Sequence, residues 1–208
     1  MFTLFYAPGA CSLASHIALE EIGAPYEAHK LDLAAGDQAK AAYLAVNPRA
    51  RVPALVTPGG ALTESPAILR YLADLYPERA LLPADPLARA QAQSLMNWFS
   101  AHLHIAFAHI FRPARFTDDQ SAAPAMKAKA LETIAAAFGE MDARLGGKDW
   151  LFDDYSVVDP YLTVFCLWAG RVGLDMSACR NVLAHADRVA QRPAVQRVFA
   201  REGIRIDG

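Results

Sequence analysis

Residues 2–23 read FTLFYAPGACSLASHIALEEIG, and this stretch decides the first two elements of the fold. Phe2 to Tyr6 is rich in Phe, Thr and Tyr, which suit a pleated surface, and Pro8-Gly9 ends the run, so a short strand is expected there. From Ser12 to Ile22 the pattern changes to a helix: Leu13 and Ile17 stand four apart, Ala14 and Ala18 continue the stripe, and Glu20 with Glu21 are placed to face water. Gly23 with Pro25 supplies the stop. Cys11 falls where the helix opens, and unpaired N–H groups and the positive end of the peptide dipole favour an anion at such a place. One reading is a thiolate of lowered pKa. The other is a small apolar cysteine packed at a turn.

Working outward, Tyr26 to Asp32 reads as a second strand and Asp37 to Val46 as a short helix. Ala54–Thr57 and Ala61–Thr63 read as two strands about a Pro58-Gly59-Gly60 turn. Ser65 to Tyr76 carries Ile68, Leu69, Leu72 and Leu75 at helical spacing. The order βαβαββα is that of a thioredoxin-like α/β domain, expected over residues 1–77, although periodicity alone also admits other small α/β folds. Three prolines, Pro77, Pro83 and Pro86, mark a linker, taken as 78–85.

An all-α domain is expected over residues 86–208, with helices at Leu87–Phe111, Pro124–Leu145, Ser156–Val172, Ala178–Ala190 and Pro193–Ala200. Ser156-Val157-Val158-Asp159 has the spacing of a capping box, with Asp in place of Glu or Gln.

Composition narrows the classes of function. Of 208 residues, 54% are hydrophobic and 20% charged, enough apolar material for a sizeable core and too much for a disordered chain. Twenty Lys and Arg against 22 Asp and Glu, with no basic block, argue against a nucleic-acid partner. The longest strongly apolar stretch, Tyr161 to Gly170, is half the ~20 residues of a membrane helix. The first residues lack a cationic n-region, and Pro8-Gly9 interrupts the apolar run, so secretion is not expected. Cys11, Cys166 and Cys179 form neither a CxxC pair nor a zinc spacing. A reducing, cytoplasmic setting with free thiols and no metal is expected.

Three segments carry residues suited to chemistry. In Arg51-Val52-Pro53-Ala54 a cis proline would leave the Val52 N–H and C=O free to pair with an extended peptide, whereas a trans proline would be an ordinary strand entry. Thr63-Glu64-Ser65-Pro66-Ala67 places an acid and a hydroxyl at a helix start, with Ser65 as N-cap and Pro66 at the first helical position. Capping accounts for that pattern; so does an amino-acid head group, its carboxylate on Ser65 and the helix N–H groups and its ammonium on Glu64. His102 and His104 do not share a helix face, so a metal site is not expected from them or from His109. Cys166 and Trp168 read as core.

The ordered set Tyr6-x-Pro8-Gly9-Ala10-Cys11-Ser12, Asn47-Pro48-x-x-x-Val52-Pro53-Ala54-Leu55 and Thr63-Glu64-Ser65-x-Ala67-Ile68 resembles the bacterial beta-class glutathione transferases. The match continues through Leu103-His104, Phe111-Arg112-Pro113 and the Ser156–Asp159 cap, and so spans the chain. The resemblance implies glutathione as co-substrate. Glu64 and Ser65 would hold its γ-glutamyl head, the Val52 backbone beside a cis Pro53 its cysteinyl unit, and Cys11 would lie near its sulfur, with Tyr6, Ser12 and His104 completing the catalytic set. Asn97 is similar to a residue that reaches the neighbouring subunit's glutathione, which implies a homodimer. Two departures stand out: Ile105 replaces a frequent lysine, and Ala34-Ala35-Gly36 replaces an expected cation. Arg51 or Lys40 is left to meet the glycine carboxylate.

The implied activity is conjugation of the glutathione thiolate to small apolar electrophiles, a detoxifying transferase. The alternatives are a glutathione-dependent thiol-disulfide reductase working through Cys11 and a non-catalytic ligand binder or redox sensor.

Overall fold

Phe2, Leu4 and Tyr6 are buried and alternate with half-exposed Thr3 and Phe5, the period-two pattern that makes Phe2–Tyr6 a strand, β1. The computed structural model describes residues 1–205. The first helix, α1 (Ser12–Ile22), ends at Gly23 in the left-handed conformation (φ 70°), whose N–H donates to the Leu19 carbonyl. Then follow β2 (Tyr26–Lys30), a 3₁₀ turn at Asp37–Ala39, a single-turn helix α2 (Ala41–Leu44), β3 (Ala54–Thr57), β4 (Gly60–Thr63) and α3 (Ser65–Leu75). The helix expected over 37–46 is therefore broken, because Lys40 is extended (ψ 144°) between its two halves.

The sheet order is β2-β1-β3-β4. β1 runs parallel to β2, with Leu4 opposite Ala28, and antiparallel to β3, with Leu4 opposite Leu55. β3 and β4 close an antiparallel hairpin. This is the thioredoxin-like sheet that the element order implies. Its strand ends bring the openings of α1 and α3 and the entry to β3 to the same edge. The end of β1 leads to Cys11, the end of β4 to Glu64, and Val52-Pro53 precedes β3.

After Pro86 the described chain is helical: α4 (Pro86–Trp98), α5 (His104–Phe111), α6 (Ala123–Arg144), α7 (Val158–Val172), α8 (Arg180–Ala190) and α9 (Pro193–Glu202). The single helix expected at 87–111 is one rod with a wider π segment, Phe99–Leu103, between α4 and α5. Its core is aromatic. Phe99, Phe107, Phe138, Tyr161 and Phe165 are fully buried, with Phe165 stacked on Phe107 and tilted against Phe99.

The chain forms two compact units, Asp85–Val189 and Met1–Ala84 joined by the segment from Ala190 onward. The all-α domain expected to run to residue 208 thus gives up its last helix, because α9 packs on α1. Glu20 and Glu21, expected to face water, are what α9 binds: Arg192 pairs with Glu21 (2.7 Å), and Arg197 and Arg201 pair with Glu20 (2.8 and 3.0 Å).

The capping box at Ser156 is present in its reach-back half. Asp159 accepts the Ser156 N–H (2.7 Å) and the Ser156 hydroxyl (3.0 Å) with one carboxyl oxygen. With the other it accepts the Leu151 N–H (2.9 Å) and meets His185 Nε2 (2.8 Å).

Candidate functional site

The site is built at the sheet edge of the first unit. Cys11 sits directly before α1 as its N-cap, is 8% exposed, and its Sγ–H donates to the Val52 carbonyl at 3.2 Å. The buried Ser65 side chain lies near the same sulfur and favours its charged form. Cys11, Val52 and Ser65, taken from three separate motifs, are therefore brought together.

Burial pushes the Cys11 thiol up to about 11, and the nearby Glu64 adds to this. The opposing pull of the helix N–H groups and of Ser65 is outweighed. Of the two readings of Cys11, burial favours the packed, protonated cysteine over a thiolate of lowered pKa. The dipole lowers a thiol's pKa in a partly solvated place, and here desolvation of the charged form is the larger effect.

The Val52-Pro53 bond is cis. Among the described residues no acceptor is found for the Val52 N–H of this half-buried residue. The Val52 carbonyl, expected to be free as well, already takes the Cys11 proton. The loop before it is held by two buried side chains. Tyr43 O–H donates to the Arg51 carbonyl, and Asn47 Nδ2–H donates to the same oxygen at 2.7 Å. Asn47 Oδ1 accepts the Arg49 N–H (3.1 Å).

At the start of α3 the structure shifts the expected cap by one residue. Ser65 is the first residue of the helix, Pro66 follows it, and Glu64 is the cap residue with φ 71° and ψ 119°. The Ser65 side chain makes no capping bond and is buried toward Cys11 instead. A non-glycine residue at positive φ costs energy that the surroundings must offset, and such strain gathers at ligand sites. The Glu64 carboxyl is exposed and, among the described residues, pairs with no cation.

The remaining residues of the expected set fall in other places. Ser12 accepts the Ala7 N–H (3.1 Å) and donates to the Ala7 carbonyl (3.2 Å), so its one proton is committed to the β1–α1 turn. Tyr6 packs its ring on His16 (4.8 Å) and is kept protonated by burial, reinforced by Glu202 and partly offset by Arg201. Lys40 is paired with Asp37 at 2.6 Å, whereas the exposed Arg51 guanidinium meets no partner among the described residues.

His104 and Asn97 belong to the second unit. His104 opens α5 directly after the π segment and lies edge-on to Trp168 (5.0 Å). Asn97 is exposed and accepts a hydrogen bond from Gln93 (3.0 Å). His102 stacks on Trp98, and His109 meets Phe116 edge-on. Trp168 is core as expected, while Cys166 is partly exposed.

Sequence reasoning missed Glu202 and His16. The Glu202 carboxyl, on α9, accepts the Gly9 N–H (2.8 Å) with one oxygen and meets His16 Nδ1 (2.6 Å) with the other, both side chains fully buried. This pair fixes the turn that presents Cys11. No local signal reveals it, since Gly9 and Glu202 lie 193 positions apart.

A buried thiol, a backbone amide before a cis proline and an exposed acid beside a helix start thus lie together at the strand ends of the thioredoxin-like sheet. Residues 1–74 match the family model "Glutathione S-transferase, N-terminal domain". The chain is 35% identical to the glutathione S-transferase GstA of Escherichia coli O157:H7, over 97% of this chain and 99% of that one. It is similar to the crystal structure of a glutathione transferase homologue from Sulfitobacter with bound glutathione, with TM-score 0.92 and 36% identity over 99% of both chains. It is also similar to a bacterial beta class glutathione S-transferase of Sphingomonas chungbukensis, with TM-score 0.86 and 40% identity over 98% of this chain and 100% of that one. The chain belongs to the glutathione S-transferase family.

Proposed function

We infer that the protein is a glutathione transferase, conjugating the glutathione thiolate to small apolar electrophiles. The carrying observation is the meeting of Cys11, Val52 and Ser65 at one sheet edge, with Sγ 3.2 Å from the Val52 oxygen. Glutathione supplies what each group lacks. Its cysteinyl residue pairs with the open Val52 amide as an added strand. Its γ-glutamyl carboxylate takes the Ser65 hydroxyl and the Ser65 N–H at the start of α3, and its ammonium meets Glu64. Arg51 is the cation left for the glycine carboxylate, since Asp37 holds Lys40.

Transfer needs a lowered barrier to glutathione ionisation and a held nucleophile. Cys11, protonated in the free protein, turns its one S–H from the Val52 carbonyl to the glutathione sulfur when glutathione binds, and the burial that raises its pKa disfavours the thiolate needed to attack a disulfide. His104 adds a polar group beside the aromatic Trp168, and Asn97 reaches the glutathione of a second copy in a cytoplasmic homodimer. Tyr6 and Ser12 support the turn rather than the sulfur. Clearance of toxic electrophiles is the role this chemistry serves.

Glutathione-dependent turnover of an aryl halide, compared with reduction of a glutathione mixed disulfide, tests the reading. The expected result is aryl transfer that survives in part in Cys11→Ala. Turnover confined to the mixed disulfide would make the protein a reductase instead. Glu64→Ala should weaken glutathione binding by about 1.5 to 3 kcal/mol, the worth of a charged hydrogen bond, in calorimetry.

A further inference from the structure

The open amide of Val52 is one half of a peptide unit whose other half is the Arg51 carbonyl. The Arg51–Val52 bond is trans, so the carbonyl and the N–H point in opposite directions across one rigid plane. Whatever fixes the carbonyl aims the N–H. Two side chains fix it: the Tyr43 hydroxyl and Asn47 Nδ2–H both donate to the Arg51 oxygen. Asn47 cannot be turned end for end, because its Oδ1 is held by the Arg49 N–H. Burial keeps the Tyr43 phenol protonated, so it remains a donor.

We propose that Tyr43 and Asn47 are positioning residues for glutathione, acting through the Arg51–Val52 peptide plane to aim and strengthen the Val52 N–H that receives the cysteinyl carbonyl. Both residues are nearly fully buried, at 3% and 2% exposure, so their bonds act in a low-dielectric setting. Two donors on one carbonyl oxygen draw electron density out of the amide and make its N–H a better donor, the cooperative effect of hydrogen-bonded chains. Left to itself, a loop amide before a strand would sample several orientations, and the ligand would have to order it on binding. Neither side chain touches the ligand in this scheme. Arg51 is exposed at its side chain while its carbonyl is tied down from beneath, so one residue serves two ends of the peptide. This inference rests on the reading of the site as a glutathione site.

The test is Tyr43→Phe in the full chain, which removes one hydroxyl and keeps the ring that packs on Phe5. Dissociation constant and KM for glutathione should rise about two- to tenfold, the net worth of one neutral hydrogen bond. The kcat with an aryl halide at saturating glutathione should change less than twofold, and the Val52 amide proton resonance of the ligand-free protein should move upfield. Tyr43→Phe/Asn47→Asp should extend both shifts in the same direction. A Tyr43→Phe protein with wild-type affinity for glutathione, or an unmoved Val52 resonance, overturns the proposal. A fall in kcat with KM unchanged does so too, since it would place the hydroxyl in the chemistry. Wild-type protein that takes no glutathione in calorimetry removes the underlying reading instead, an outcome distinct from wild-type binding that the variants share.

Discussion

Two helix starts in this molecule are braced by a buried acid facing a histidine, and they differ in where the acid comes from. In the second unit Asp159 lies three residues past Ser156 and gathers the Ser156 N–H and hydroxyl, the Leu151 N–H and His185. In the first unit Glu202 comes from α9 to take the Gly9 N–H and His16. The first brace holds a fold element and touches no open amide or thiol. The second holds the turn between β1 and Cys11, so its geometry is passed directly to the site. Similar chemistry is thus used once for stability and once for placement.

The largest effect that could break this contrast belongs to Asp159→Ala. Removing one member of a buried pair leaves its partners unsatisfied, and stability should fall by about 3 to 5 kcal/mol in denaturant unfolding. A loss under about 1 kcal/mol would mean that water replaces the carboxyl group, and that this brace is not structural.

Glu202→Gln should follow, because glutamine keeps the shape but presents a neutral acceptor to Gly9. An acceptor change of this kind is worth about 1.5 to 3 kcal/mol. Part of it should be seen as weaker glutathione binding and as faster alkylation of Cys11 by iodoacetamide, since the turn is loosened. Equal stability loss with glutathione affinity and alkylation unchanged would erase the difference between the two braces.

The Cys11 titration comes next. With its thiol raised to about 11, alkylation in the ligand-free protein should climb about tenfold per pH unit from pH 8 to 10 without levelling off. The folded state holds this proton more tightly than an ordinary thiol of 9.0, so the associated stability is fully present below pH 9 and is lost as pH rises through about 11. A plateau near pH 7 would restore the low-pKa thiolate that the helix start alone suggests.

The smallest effect concerns Ala50, held at φ 54° in the loop between Asn47 and Val52. Ala50→Gly removes the left-handed strain and should raise stability by up to about 1 kcal/mol, with glutathione affinity near wild type. A matching loss of affinity would show that loop stiffness, as well as the Glu202 brace, places the site.

Much of this was legible because local signals and tertiary needs coincide. Strand-favouring residues in Phe2–Tyr6 and the stripe of α3 report burial on one face, Pro58-Gly59 marks the turn between β3 and β4, and the observed elements follow these signals. The break at Lys40 and the π segment at Phe99–Leu103 were not legible. Neither carries a proline or glycine, the residues by which a sequence marks such interruptions. At the site, Cys11, Val52 and Ser65 could be singled out by position, but the state of the thiol could not. Helix-dipole reasoning sees the N–H groups and misses the burial that overrides them.

Apart from the break at Lys40 and the π segment, local sequence marks which segments become strands and helices, where the chain turns, and which short motifs hold a thiol, a proline and an acid. Those properties depend on neighbours within a few positions, through backbone sterics and hydrophobic period. The place of α9 in the first unit, the Glu202 brace on Gly9, the commitment of Ser12 to Ala7 and the hold of Tyr43, Asn47 and Cys11 on two carbonyls of the Val52 loop arise only in the folded chain. Hydrogen bonds form between groups close in space, whatever their separation along the chain, and the cost of burying a thiol is set by every atom packed around it.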